Sequence, residues 1–178
     1  MKSTVKTVAI VALCAAVGPA VADSDTVGDL GGVYKDRFQN GLVSGETFQS
    51  ENILEVVPYK PGLAYFRIHL EFFNGHECNI SGIASASSDR LVYRGPADFR
   101  GNPCVLTIRR SADGIHIFEN ENLSCKNQTC GERGGYGYFP TDEPMFKLTE
   151  RRPIRYTKRI LSSREYSEAI AEFEKSAH

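Results

Sequence analysis

Cysteine is the residue type in this chain whose spacing most plainly promises chemistry. Cys78, Cys104, Cys125 and Cys130 lie in the body of the 178-residue sequence, and a fifth, Cys14, lies in an apolar leader. Cys125 and Cys130 enclose four residues and run straight into Gly131-Glu132-Arg133-Gly134-Gly135-Tyr136-Gly137-Tyr138-Phe139. Such a set can hold zinc, exchange electrons or form disulfides. Zinc is disfavoured, because the pairs lack C-x2-C spacing and the compartment argued below is oxidising. A thioredoxin-like redox role lacks both the C-x-x-C spacing and a surrounding βαβ pattern. An even number of cysteines in an exported chain points instead to two disulfides, in one of three connectivities. A short bridge from Cys125 to Cys130, complemented by Cys78 to Cys104, is the expected pairing. The crossed arrangement, Cys104 with Cys125 and Cys78 with Cys130, stays open.

The remaining candidates for chemistry are thinner. His76 and Glu77 are neighbours on an expected strand and point to opposite faces, so they cannot act together. His69 falls on a solvent face, and with His116 these read as solvated or turn histidines rather than metal ligands. Ser85, Ser87 and Ser88 lie near Asp89, without the strained elbow an activated serine needs. Glu119 and Glu121 read as a polar strand end. Gly131, Gly134, Gly135 and Gly137 with Arg133 could cradle an anion, but no helix N-terminus follows to complete the site. A tight turn, with Arg133 on carbonyls or a carboxylate, is the simpler reading. These residues point to a protein that is not an enzyme and needs no cofactor and no metal. Arg133, Tyr136 and Tyr138, exposed beside a rigid loop, would make a protein-binding edge.

Compartment follows from the first residues. Lys2 and Lys6 precede an apolar run from Val8 to Val17, and Ala20-Val21-Ala22 is a small-x-small cleavage site. The run is too short to span a bilayer, and no second one follows. Cys14 makes a poor lipoprotein box, because Leu13 stands where a small residue belongs. Cleavage after Ala22 removes two lysines, taking the length from 178 to 156 and the formal charge from −1 to −3. That is the size of one domain with its own core. A near-neutral chain has no electrostatic drive toward nucleic acid. Sequons at Asn79, Asn122 and Asn127 are read as unused, since the short Lys-led leader looks bacterial.

The elements that must position the cysteines are strands. Ala64, Phe66, Ile68, Leu70 and Phe72 alternate with Tyr65, Arg67, His69, Glu71 and Phe73, a period of two. Asn74-Gly75 then predicts a hairpin turn at positive φ. The return strand places Cys78, Ile80, Gly82, Ala84 and Ala86 on one face, where small residues either leave space or admit a neighbour. Cys104, Leu106 and Ile108 begin a second hairpin that turns at Ala112-Asp113-Gly114. With Gly32–Phe38, Glu46–Tyr59, Leu91–Arg94, Ile115–Glu119 and the Phe139–Leu148 region, about eight short strands emerge. The fold class is mainly β: a small antiparallel meander barrel over residues 23–150. Residues 151–178 form a basic linker and a C-terminal helix packed on the barrel. Ser162-Ser163-Arg164-Glu165 is its capping-box signal, and Tyr166, Ile170 and Phe173 are its apolar face. Arg151, Arg152, Arg155, Lys158, Arg159 and Arg164 make the linker basic. They suit either a solvated segment with scattered ion pairs or contact with anionic lipid or polymer.

The succession Asn74-Gly75-His76-x-Cys78, Gly82-x-Ala84, Leu91-Val92-Tyr93-Arg94, Cys104-x-Leu106-x-Ile108 and Cys125-x4-Cys130-Gly131-x-Arg133-Gly134 resembles a group of small exported bacterial four-cysteine proteins. Some of these carry a lysozyme-inhibitor-like (LprI-type) label. More distantly, the barrel is similar to periplasmic inhibitors of C-type lysozyme, with Ser81-Gly82, Ser85 and Tyr93 as a loose echo of their motif. Gly32-x-Tyr34 resembles the first strand of lipocalin-type proteins, whose tryptophan this chain lacks. The resemblance implies a periplasmic or secreted binding protein whose partner is a protein, with a lysozyme as the candidate. A calycin-like carrier of a small apolar ligand is the alternative.

Overall fold

The computed structural model describes residues 24–137 and 143–176. The leader, its cleavage site and Tyr138 lie outside these residues. Seven antiparallel strands follow one another as a meander: β1 (Gly32–Gly41), β2 (Thr47–Lys60), β3 (Leu63–Phe72), β4 (His76–Ser87), β5 (Arg90–Ala97), β6 (Pro103–Arg110) and β7 (Ile115–Glu119). A short helix, α1 (Ser24–Leu30), precedes them; α2 (Ser124–Thr129), α3 (Thr157–Leu161) and α4 (Arg164–Ser176) follow. Among the described residues the sheet curls into a half-barrel of seven strands, where about eight were expected. No described helix is long and apolar enough to cross a membrane.

The missing strand has a physical reason. The segment expected to supply it, Phe139–Leu148, carries Pro140 and Pro144, neither of which can donate to a ladder. Single bridges do its work instead. Gly137 N–H donates to Ile117 O (2.9 Å), and Ile115 N–H donates to Phe146 O (2.8 Å), along the free edge of β7. Arg152 exchanges two backbone hydrogen bonds with Val33 on β1. Among the described residues, the chain after β7 thus bridges to both sheet edges without forming a further strand.

Alternation decides what is inside. Leu54, Val56, Phe66, Ile68, Leu70, Leu106 and Ile108 are almost wholly buried in one core with Tyr34 and Phe146. Leu30 of α1 closes the base of that core. The Asn74-Gly75 turn takes the expected form, both residues lying at positive φ (63° and 71°). On the outer face of β2, β3 and β4, Val57, Tyr65 and Ile83 form a second cluster with Ile160 and Ala169. Tyr166, Ile170 and Phe173 pack there, on the helix face the sequence marked. The cap is shifted by one residue: Ser163, not Ser162, accepts the Tyr166 N–H through its hydroxyl (3.2 Å).

The seam between β4 and β5 is the fold's unusual place. They pair only over Ser85–Ser87 and Arg90–Val92, then diverge. Tyr93 fills the gap, and Gly82 is what admits it. A β-carbon on Gly82 would lie 2.3 Å from the Tyr93 ring. The small residues of β4 therefore serve close approach rather than empty space. The Tyr93 ring also meets Phe66 edge-on, centroids 5.1 Å apart. Its hydroxyl donates to Glu172 of α4 (2.7 Å), which with burial holds that phenol protonated at every ordinary pH. Because the ring is walled in, Gly82→Ala is expected to cost about 1–3 kcal/mol, read as a lower denaturation midpoint with an unchanged slope.

Candidate functional site

Strand order puts the tips of the β1–β2, β3–β4 and β5–β6 hairpins at one end of the half-barrel, together with the end of β7. The cysteines gather there, in the crossed pairing. Cys78 on β4 bonds Cys130, and Cys104 on β6 bonds Cys125. The expected Cys125–Cys130 and Cys78–Cys104 bridges are thereby corrected. The reason is α2: Cys125 lies within the helix, whereas Cys130 follows it as an extended C-cap residue, so the two face different sides. One side meets β6 and the other meets β4. The short helix and its cap residue thus tie β4 to β6 across the seam.

The glycines after Cys130 serve this staple. Gly131 N–H donates to Glu77 O (2.7 Å), adding a backbone bond beside the Cys78–Cys130 bridge. A β-carbon on Gly134 would lie 2.8 Å from the Cys78 sulfur, and one on Gly131 would lie 2.8 Å from His76 Nδ1. Close packing, of Gly134 on the bridge and of Gly131 on His76, accounts for both.

The candidate contact residues separate. Arg133 is exposed, its guanidinium 5.7 Å from the centre of the Phe73 ring. Tyr136 is not at the surface: only 4% exposed, it packs in the main core. Its hydroxyl pairs with Thr129 Oγ1 (2.7 Å), and burial pushes its pKa above the ordinary phenol range. Packing under α2 explains the correction, since the residue braces the staple from inside. What does reach solvent at this end went unmarked in the sequence. Val43 (71% exposed), Phe73 (44%) and Phe99 (87%) stand one on each hairpin tip. Val43 N–H donates to Asn74 Oδ1 (3.3 Å), tying two tips together. Arg100 lies over the Phe99 ring at 5.1 Å, as Arg133 does over Phe73. The available signal was a large apolar residue inside a turn, as in Asp98-Phe99-Arg100-Gly101.

The histidines occupy three settings. His69 is partly exposed between Asn79 Oδ1 (2.6 Å) and Glu71 Oε1 (3.3 Å) on the outer sheet face. His76 abuts Gly131. His116 is buried (6% exposed) rather than solvated, held against turn residue Asp113. Among the described residues, no group of three His, Cys, Asp or Glu side chains is placed to hold a metal. Glu119 is buried as well, and its Oε2 accepts the Lys126 N–H at the start of α2 (3.1 Å). Its other oxygen has no partner, and burial raises the carboxyl's pKa.

Comparison with protein-family models, with curated proteins and with solved structures gives no match to this chain.

The disulfides and Glu119 each give a test of this site. Trypsin cuts after Lys126 and so separates Cys125 from Cys130. Non-reducing digestion should join the peptide bearing Cys78 to that bearing Cys130, and Cys104 to Cys125, with no free thiol. Replacing Cys78 and Cys130 together by alanine should cost about 2–4 kcal/mol, since that bridge closes the longer loop. The second concerns Glu119. A carboxyl whose folded pKa lies above its unfolded one binds the extra proton in the native state, so stability falls as pH rises from the unfolded pKa through the folded one. Glu119→Gln keeps an acceptor for Lys126 and removes the buried charge. It should raise Tm at pH 7 by about 2–4 °C, the equivalent of about 1 kcal/mol, and leave it unchanged near pH 4.

Proposed function

We propose that this chain is a non-enzymatic, exported binding protein of the bacterial envelope, and that its partner is a protein docking on the disulfide-clamped end. The observation that carries this reading is the set of exposed apolar residues on the three tips. Solvent-facing Val43, Phe73 and Phe99 have no role in the core, and turns do not need them. Two disulfides and α2 hold the surrounding frame rigid, so docking loses little conformational freedom. Aromatic rings paired with Arg100 and Arg133 are the residue types that dominate protein interfaces. The disulfides also support an oxidising, extracytoplasmic compartment; cleavage of the leader after Ala22 belongs to the same proposal.

The sign of the charges narrows the partner. Exposed Glu46, Glu77, Glu121 and Glu132 at this end outnumber Arg100 and Arg133 beside the tips. That excess suits a cationic protein, and lysozymes are cationic, in keeping with the inhibitor-like resemblance. The carrier reading finds less support. The ring of Tyr93 lies against Gly82, and Phe66, Leu70 and Ile108 fill the space a ligand would need.

Purified protein incubated with C-, G- and I-type lysozymes tests the proposal. Inhibition or a complex at micromolar concentration is expected with at least one of them. Phe73→Ala and Phe99→Ala should each weaken it by about tenfold or more, as loss of an interface anchor does. Neither inhibition nor a complex with any of the three removes the lysozyme reading.

A further inference from the structure

We propose that the stretch from Arg151 to Arg164 is a docking surface for an anionic phospholipid bilayer. It carries six cations and no carboxylate, in a chain whose formal charge is −1. All six are exposed. A solvated linker laced with ion pairs would need carboxylates within reach. Among the described residues only Arg164 has one, Glu168 at 3.4 Å. Arg151 donates instead to the carbonyls of Gly28 and Gly31 (both 2.8 Å). Arg152 donates to the carbonyls of Thr149 and Arg151. Arg159 lies over the Tyr156 ring at 4.6 Å. These contacts fix where the charges stand and neutralise none of them.

The segment is also a platform rather than a loose tether. Ile160 is buried in the outer cluster, which turns Lys158, Arg159 and Leu161 of α3 outward. Behind it, the Tyr156 hydroxyl donates to Glu55, whose other oxygen accepts from Arg67 Nε (2.6 Å). Glu55 is only 1% exposed, so this anchor is shielded from solvent.

Leu161 decides between a bilayer and a soluble polyanion. It is 43% exposed, one residue beyond the side chain that anchors α3. An apolar residue among cations matches the lipid interface, where the charges meet headgroups and the leucine enters the acyl boundary. A dissolved polyanion offers Leu161 no partner.

Sedimentation with vesicles tests this, using the chain from Asp23 on. That piece holds every described element and lacks the apolar leader, which would partition by itself. Binding is expected to vesicles containing phosphatidylglycerol, not to pure phosphatidylcholine, and should weaken steeply as salt shortens the screening length. The triple variant R155Q/K158Q/R159Q should bind about a hundredfold less, at roughly fivefold per cation. Leu161→Ser should reduce binding several-fold without altering the salt dependence. Circular dichroism and a thiol count confirm folding; should the triple variant misfold, Arg155→Gln and Lys158→Gln alone should each cost about fivefold. Three results overturn the proposal: no binding to phosphatidylglycerol vesicles at low salt, undiminished binding by the charge variants, or displacement by polyphosphate with Leu161→Ser without effect.

Discussion

The staple made by α2 is the constraint on which the rest of this molecule depends. β4 loses its ladder with β5 below Ser85, so from His76 to Ala84 its far edge faces a diverging strand. A curled sheet left open there would be free to spread. Two disulfides, one from Cys125 in α2 to β6 and one from its cap residue Cys130 to β4, hold the gap at a fixed width. They span 52 and 21 residues of sequence, so each removes substantial freedom from the unfolded chain. The Cys104–Cys125 loop lies within the Cys78–Cys130 loop, so their entropic effects overlap and do not simply add.

With the width set, side chains complete the seam. Tyr93 occupies it, Gly82 leaves room for its ring, and Glu172 takes its hydroxyl from outside. This links the half-barrel core to α4, although α4 packs on the opposite face of the sheet. Tyr136 braces the staple from within through Thr129, whose hydroxyl also contacts the Cys125 carbonyl. Covalent bonds fix the frame, and packed aromatic side chains make it rigid. The exposed tips inherit that rigidity.

Most strands could be read from the sequence because each buries one face, and a one-residue slip would expose the whole set. Ala64 through Phe72, and Cys78 with Ile80, fell on the expected side for that reason. The Asn74-Gly75 turn was legible through its backbone chemistry. α2 was not legible: six residues with one polar run show no helical period, and Leu123 before it adopts a left-handed conformation no sequence signal announces. Without α2 the cysteine pairing is not legible either, since the helix and its extended cap direct Cys125 and Cys130 to different strands. Tyr136 was misplaced because alternation has meaning only within a strand, and its segment makes isolated bridges. The tips escaped notice for a different reason. A phenylalanine in a turn reads as noise until the fold shows that three hairpins present such residues at the same end.

The two ends of the half-barrel are chemically unlike, and the chain path explains why they can be. β1 begins beside Arg152 and ends near the Val43 tip, so basic linker and apolar tips sit at opposite ends of the same strand. β2, of 14 residues, covers that distance at about 3.3 Å per residue, roughly 45 Å if fully extended. That exceeds the screening length at physiological salt several times over, so neither end feels the other's charge. A surface seated under the base would leave the three tips pointing away from it. Antiparallel connection enforces this, because every second turn of the meander returns to the same end. An end stapled by disulfides can therefore be matched to one partner while the linker is matched to another, without either set of residues compromising the core between them.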